Sequence, residues 1–120
     1  MTVSVITEPM VETLTPTAAA ELLATTHVDI VDVRDADEWL TGHLDGSRLV
    51  PLDDLRADPE AHLGRHTAIL FVCAKGVRSL TAAKLAERFG FAQLYSLEGG
   101  TREWARAGYE LVTAAARVAA

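Results

Sequence analysis

Residues Thr67 to Ser79 read TAILFVCAKGVRS. Thr67 through Val72 is almost wholly apolar, which fits a strand covered on both faces, as in a parallel sheet. The chain then meets Cys73, a loop containing Gly76, and two cations, Lys75 and Arg78. A helix is predicted from about Ser79 to Phe89, with Gly90 as its left-handed C′ residue. In open α/β sheets the crevice beyond the carboxyl ends of the strands is where ligands bind. The loop from Cys73 to Ser79 occupies that position.

The same alternation extends outward in both directions. Val28 to Val33 is a short β-branched run and predicts a strand, as do Arg48-Leu49-Val50 and Leu94-Tyr95-Ser96. Thr15-Pro16 predicts a helix start that runs to Thr25-Thr26. Asp35 opens another helix, with Glu38 three residues on as a capping-box partner. Asp53 or Asp54 is placed as the cap of a short helix through Leu55 and Leu63. Gly99-Gly100 turns the chain into a last helix, Thr101 to Ala107, closed by Gly108. Met1 to Glu12 is expected to be an extended lead-in. Strands alternating with helices predict an α/β fold with a mainly parallel sheet.

The chain has 120 residues, 49% of them hydrophobic, which suits one domain spanning 1–120. A formal charge of −6, with no Lys/Arg cluster, argues against a nucleic-acid partner. The longest apolar run, Ala68 to Ala74, is too short to span a membrane. No Lys or Arg precedes Arg34, so neither a signal peptide nor an Arg-rich transit peptide is expected. A single cysteine closes no internal disulfide and points to a reducing cytoplasm.

Chemistry concentrates in Cys73-Ala74-Lys75-Gly76-Val77-Arg78-Ser79. Successive N–H groups in such a loop can converge on an anion, and the following helix adds about half a positive charge at its start. Gly76 permits backbone angles that a Cβ would resist. A sulfur at the base of this cradle has its thiolate stabilised, and such cysteines have pKa values of about 3.5–7.5. Arg78 has two readings, substrate contact or a structural tie to a buried carboxylate such as Asp32, and a planar five-donor group suits both. Lys75 is expected to be the more exposed cation.

Here the sequence resembles the rhodanese family of sulfurtransferases over roughly residues 14–109. The resemblance is carried by Val31-Asp32-Val33-Arg34, Glu38-Trp39, Gly42-His43-Leu44-Asp45-Gly46-Ser47, Val50-Pro51-Leu52, the Cys73 to Ser79 loop, Leu97-Glu98-Gly99-Gly100, Trp104 and Gly108-Tyr109. Trp39 stands where an aromatic, often Phe, is usual, and Leu44 and Ser47 replace the common Ile and Ala. The resemblance implies a five-stranded, mainly parallel sheet with helices on both faces and Cys73 as the persulfide carrier. It implies Asp32 and Arg34 as supports of the active-site region. Cys73 and Arg78 enclose four residues, as in the sulfur-transferring members, whereas the related cell-cycle phosphatases have a loop one residue longer.

Other constellations carry blander readings. The acidic group Asp32, Asp35, Asp37 and Glu38 could hold Mg²⁺, but helix starts also favour carboxylates. His62 and His66 are four apart with Gly64 between them and no third ligand, so no metal is expected. His43 is expected to bond the local backbone, and Trp39, Trp104 and Tyr109 to pack in the core or at its rim.

Two functional hypotheses follow. In the first, Cys73 takes sulfur from thiosulfate or a similar donor and passes it to a thiol or cyanide by ping-pong kinetics, without a cofactor. In the second, the chain is a sulfur-relay or regulatory interaction module that receives sulfur from a partner protein and uses free thiosulfate poorly. A catalytically dead domain is a distant third, because the nucleophile is present.

Overall fold

The structure is a computed structural model that describes residues 11–113. Among these residues, five strands form one sheet: β1 (Val11–Leu14), β2 (Val28–Asp32), β3 (Arg48–Leu49), β4 (Ala68–Val72) and β5 (Leu94–Leu97). They lie in the order β1-β5-β4-β2-β3, and every pairing is parallel. The helices are α1 (Pro16–Thr25), α2 (Ala36–Leu40), α3 (Leu52–Ala57), α4 (Pro59–His62), α5 (Val77–Arg88) and α6 (Gly100–Arg106).

β4 is the central strand, and each of its residues is buried. Its side chains alternate between two cores, as strand periodicity demands. Ile69, Phe71 and Cys73 join Val31, Val33, Leu55 and Leu63 beneath α5. Leu70 and Val72 join Ile30, Leu97, Ala19 of α1 and Trp104 of α6 on the opposite face. Burying a side chain such as Phe71 completely contributes about 2–3 kcal/mol. The face that α5 lays on the sheet is built from Ala82, Ala83 and Ala86. Such small side chains let the helix lie close to β4, which keeps its first turn beside the end of that strand.

Several expectations need correction. The predicted helix capped at Asp53 or Asp54 and running through Leu63 is two helices. α3 begins at Leu52, with Asp53 and Asp54 in its first turn. It stops before Pro59, whose ring disfavours a helical conformation at Asp58 and removes a backbone donor. Asp58 then caps α4, its carboxylate accepting the Ala61 N–H at 3.2 Å. α5 starts at Val77, two residues ahead of the predicted Ser79, directly behind a left-handed Gly76 (φ +101°). The part of the expected lead-in from Met1 to Met10 lies outside the described residues. Val11 to Leu14 pairs with β5, Val11 opposite Leu94, and so extends the sheet.

Candidate active site

Cys73 follows directly on β4 and is almost fully buried, at 1% exposure. Its Sγ accepts the Gly76 N–H at 3.0 Å and the Ser79 N–H at 3.3 Å, and lies 3.5 Å from Ser79 Oγ. Two backbone donors therefore converge on one sulfur from the loop and from the first turn of α5. Burial is the largest single influence on the thiol and opposes ionisation. The Ser79 hydroxyl and the N–H groups of Ser79, Gly76 and Lys75 together outweigh it, so the Cys73 pKa falls below the usual thiol value.

The loop is held from below by the start of α6. The Thr101 N–H donates to the Cys73 carbonyl at 2.8 Å, and the Arg102 N–H to the Ala74 carbonyl at 3.1 Å. This approach requires Gly100, because a Cβ there would lie 2.2 Å from the Cys73 carbonyl oxygen. Above the sulfur opens a cavity of about 350 Å³ lined by Glu38, Cys73, Ala74, Lys75, Val77 and Arg78. Lys75 is exposed, and Val77 is an exposed apolar residue at the lip.

Arg78 is tied to a carboxylate, but Glu38 takes the place expected of Asp32. The guanidinium donates to both Glu38 oxygens, at 2.8 and 2.9 Å, across a separation of 40 residues. Glu38 Oε1 also accepts the Asp35 N–H at 3.0 Å, so the capping residue of α2 anchors α5 as well. The Arg78 hydrogen bonds are the main reason that the Glu38 pKa is held at about 2. In sequence Glu38 was marked as a helix-cap partner, as one of an acidic group and within the Glu38-Trp39 motif, and none of these names Arg78 as its partner. Asp32 is engaged by Arg34, whose Nε and terminal nitrogen contact both carboxylate oxygens at 2.8–3.1 Å. The same guanidinium reaches the Gly42 carbonyl at 2.7 Å. Both side chains are buried, and Val33 between them donates its N–H to the Val72 carbonyl at 2.9 Å. The pair thus braces the chain beside the end of β4 without lining the cavity.

His43 is fully buried against Trp39, with ring centroids 3.5 Å apart, and its Nδ1 lies 3.0 Å from the Trp39 carbonyl. The local backbone bond expected of it is present. Trp104 is buried and stacks on Tyr109. Among the described residues no three His, Cys, Asp or Glu side chains converge as a metal site would need. No described helix is long and apolar enough to cross a membrane.

A parallel α/β sheet whose central strand ends in a sulfur cradled by backbone amides defines a class of protein, the α/β domain with a cysteine loop at the end of its central strand. Within that class the chain belongs to the rhodanese family, since the family model described as rhodanese-like domain matches residues 15–107. It is 34% identical over 91 residues to the thiosulfate sulfurtransferase GlpE of Ectopseudomonas mendocina, covering 76% of this chain and 82% of that one. It is 33% identical over 78 residues to the probable adenylyltransferase/sulfurtransferase MoeZ of Mycobacterium tuberculosis, covering 64% of this chain but only 20% of the relative. Among solved structures, a rhodanese-related protein from Thermoplasma volcanium superposes with a TM-score of 0.76 at 26% identity, covering 84% of this chain and 97% of that one. The family and these relatives support sulfurtransferase as the class of chemistry.

Proposed function

We propose that the protein moves sulfane sulfur from thiosulfate, or a donor like it, to a thiophilic acceptor through a persulfide on Cys73. The observation that carries this reading is the convergence of the Gly76 and Ser79 N–H groups on Sγ at the base of an open cavity. The Cys73 thiolate attacks the outer sulfur of thiosulfate. The new S–S bond forms as the old one breaks, and sulfite departs with the electron pair of the broken bond. The loop amides then face the terminal sulfur, whose negative charge they stabilise as an oxyanion hole would. Cyanide or a thiol attacks that sulfur and returns Cys73 as thiolate, giving two half-reactions.

The residues around the sulfur divide this work. Arg78 and Glu38 cancel one another's charge, so an arriving dianion meets Lys75 as the uncompensated cation of the lining. Ala74 and Val77 complete the wall, and Asp32 with Arg34 holds the neighbouring backbone. A reducing cytoplasm keeps the lone thiol available. A second reading, relay from a partner protein, is favoured by the similarity to MoeZ, of which this chain spans a fifth.

The test is intact-protein mass after incubation with thiosulfate, or with a cysteine desulfurase and cysteine. Gain of one sulfur atom from thiosulfate, its removal by cyanide, and no gain in Cys73→Ser are expected. Loading from the desulfurase alone would favour the relay. Failure with every donor, with the thiol still titratable, would overturn the sulfur-transfer reading, and hydrolysis of an aryl phosphate would replace it with phosphatase chemistry.

A further inference from the structure

Ser96 lies on β5, in the middle of a buried sheet, with 1% exposure. It is on the same face as Leu94, whose side chain belongs to the apolar core under α5. A hydroxyl there is costly unless it is hydrogen-bonded. Its one side-chain partner among the described residues is Ser79 Oγ, at 2.9 Å. Ser79 is itself fully buried, and its Oγ is the hydroxyl 3.5 Å from Cys73 Sγ. Three side chains from β4's end, α5 and β5 therefore form one line: sulfur, hydroxyl, hydroxyl.

We propose that Ser96 is a positioning residue for Cys73, turning the Ser79 hydroxyl so that its proton faces the ionised sulfur. In the thiol form, S–H donates to Ser79 Oγ, and Ser79 donates onward to Ser96. Once the proton leaves, both hydroxyls rotate: Ser96 donates to Ser79, and Ser79 donates to the thiolate. No heavy atom has to move. Because Ser79 accepts from Ser96 in the ionised form, its own donor is free for the sulfur and is polarised toward it. The inference rests on Cys73 being the nucleophile.

The charged groups around this line are few. Glu38, Lys75 and Arg78 flank the sulfur at the cavity above it. Lys75, Lys84 and Glu98 line a separate cavity that Ser96 also borders. Asp32, from the adjacent β2, is paired with Arg34. The hydroxyl substitutions below leave every one of these charges unchanged, so a shift in Cys73 ionisation reports the hydrogen-bond line.

The experiment follows alkylation of Cys73 by iodoacetamide against pH in the full chain, with thermal melts as a check on folding. Ser96→Ala should move the midpoint upward by about half a unit to one unit, the worth of a neutral hydrogen bond. Ser79→Ala should move it at least as far. The double variant should match Ser79→Ala alone, because Ser96 acts only through Ser79. If the alanine variant folds poorly, Ser96→Thr and Ser96→Val make a pair of the same shape. Thr should keep the original midpoint and Val should raise it. An unmoved midpoint in Ser96→Ala, equal midpoints in the Thr and Val variants, or a Ser96→Ala shift that adds in full to that of Ser79→Ala would overturn the proposal. Alkylation needs no sulfur donor. A protein that shows the shift but never loads sulfur would refute the sulfur-transfer reading and leave this inference standing.

Discussion

Lys75 and Cys73 are two residues apart, yet the proposed reaction would use them by different means. Cys73 would be the nucleophile, and its ionisation is favoured by hydrogen bonds from Ser79, Gly76 and the Lys75 backbone. The Lys75 ammonium stands exposed at the cavity wall, and only its backbone N–H is among the groups that hold the thiolate. Removing it should therefore change donor capture without changing the nucleophile. For Lys75→Ala we expect thiosulfate turnover at low ionic strength to fall about three- to tenfold, with the deficit shrinking as salt is added. Alkylation of Cys73 by neutral iodoacetamide should keep its rate. Steady-state kinetics across a salt series checks both, and an unchanged turnover at low salt would remove the steering role.

At the level of elements, the site is the meeting of two helix starts with one strand end. α5 directs its first N–H groups at the sulfur, and α6 directs its own at the carbonyls of Cys73 and Ala74. α2 is linked to this assembly through the Glu38–Arg78 fork. A lysine cannot reproduce that two-pronged geometry. Arg78→Lys should lower turnover about tenfold and destabilise the fold by up to about 1 kcal/mol, a modest figure because the pair is a third exposed. Thermal melts and kinetics measured together would show it. Loss of donor affinity at unchanged stability would make Arg78 a substrate ligand. The pH dependence has a definite sign. The Glu38 pKa is depressed from 4.5 to about 2, so its stabilisation is present above 4.5 and is lost as pH falls through about 2. The stability gap between the wild type and Glu38→Gln should close over that window.

Across the whole molecule, the two cores are separated by the sheet, and the site sits where the central strand leaves both. The buried Asp32–Arg34 pair ties β2 to the Gly42 turn at this edge. Removing one partner of a buried ion pair leaves an uncompensated charge, at a cost of about 3–5 kcal/mol. Arg34→Ala should accordingly lower the melting temperature by about 12–20 °C, taking about 4 °C per kcal/mol, where the ranges for smaller and larger domains meet. Replacing both residues with apolar ones of similar volume should recover much of the loss. Calorimetry of the single and double variants checks this, and a single variant as stable as the wild type would mean that the pair contributes no net stability.

The alternation of strands and helices, and the place of Cys73 at the end of a buried strand, were legible in the sequence because local signals specify them. Apolar runs, Thr15-Pro16, Asp35 with Glu38, and the glycines after helices act over a few residues of chain. So does the curl of the loop at Gly76, directly before a helix start. The motif pattern extended this reading to the number of strands and to the family. The pairing of β1 with β5 was less visible, since an edge strand of four residues has little hydrophobic pattern. Only the tertiary structure decided which carboxylate takes Arg78, because Glu38 and Asp32 offer the same chemistry and the choice depends on how α2 packs beside α5. It also decided that Gly100 lies under the Cys73 carbonyl and that Ser96, 17 residues beyond Ser79, supplies a hydroxyl behind the sulfur. A short polar side chain carries no local mark of its partner. Its role exists only once the sheet and α5 have brought the two together.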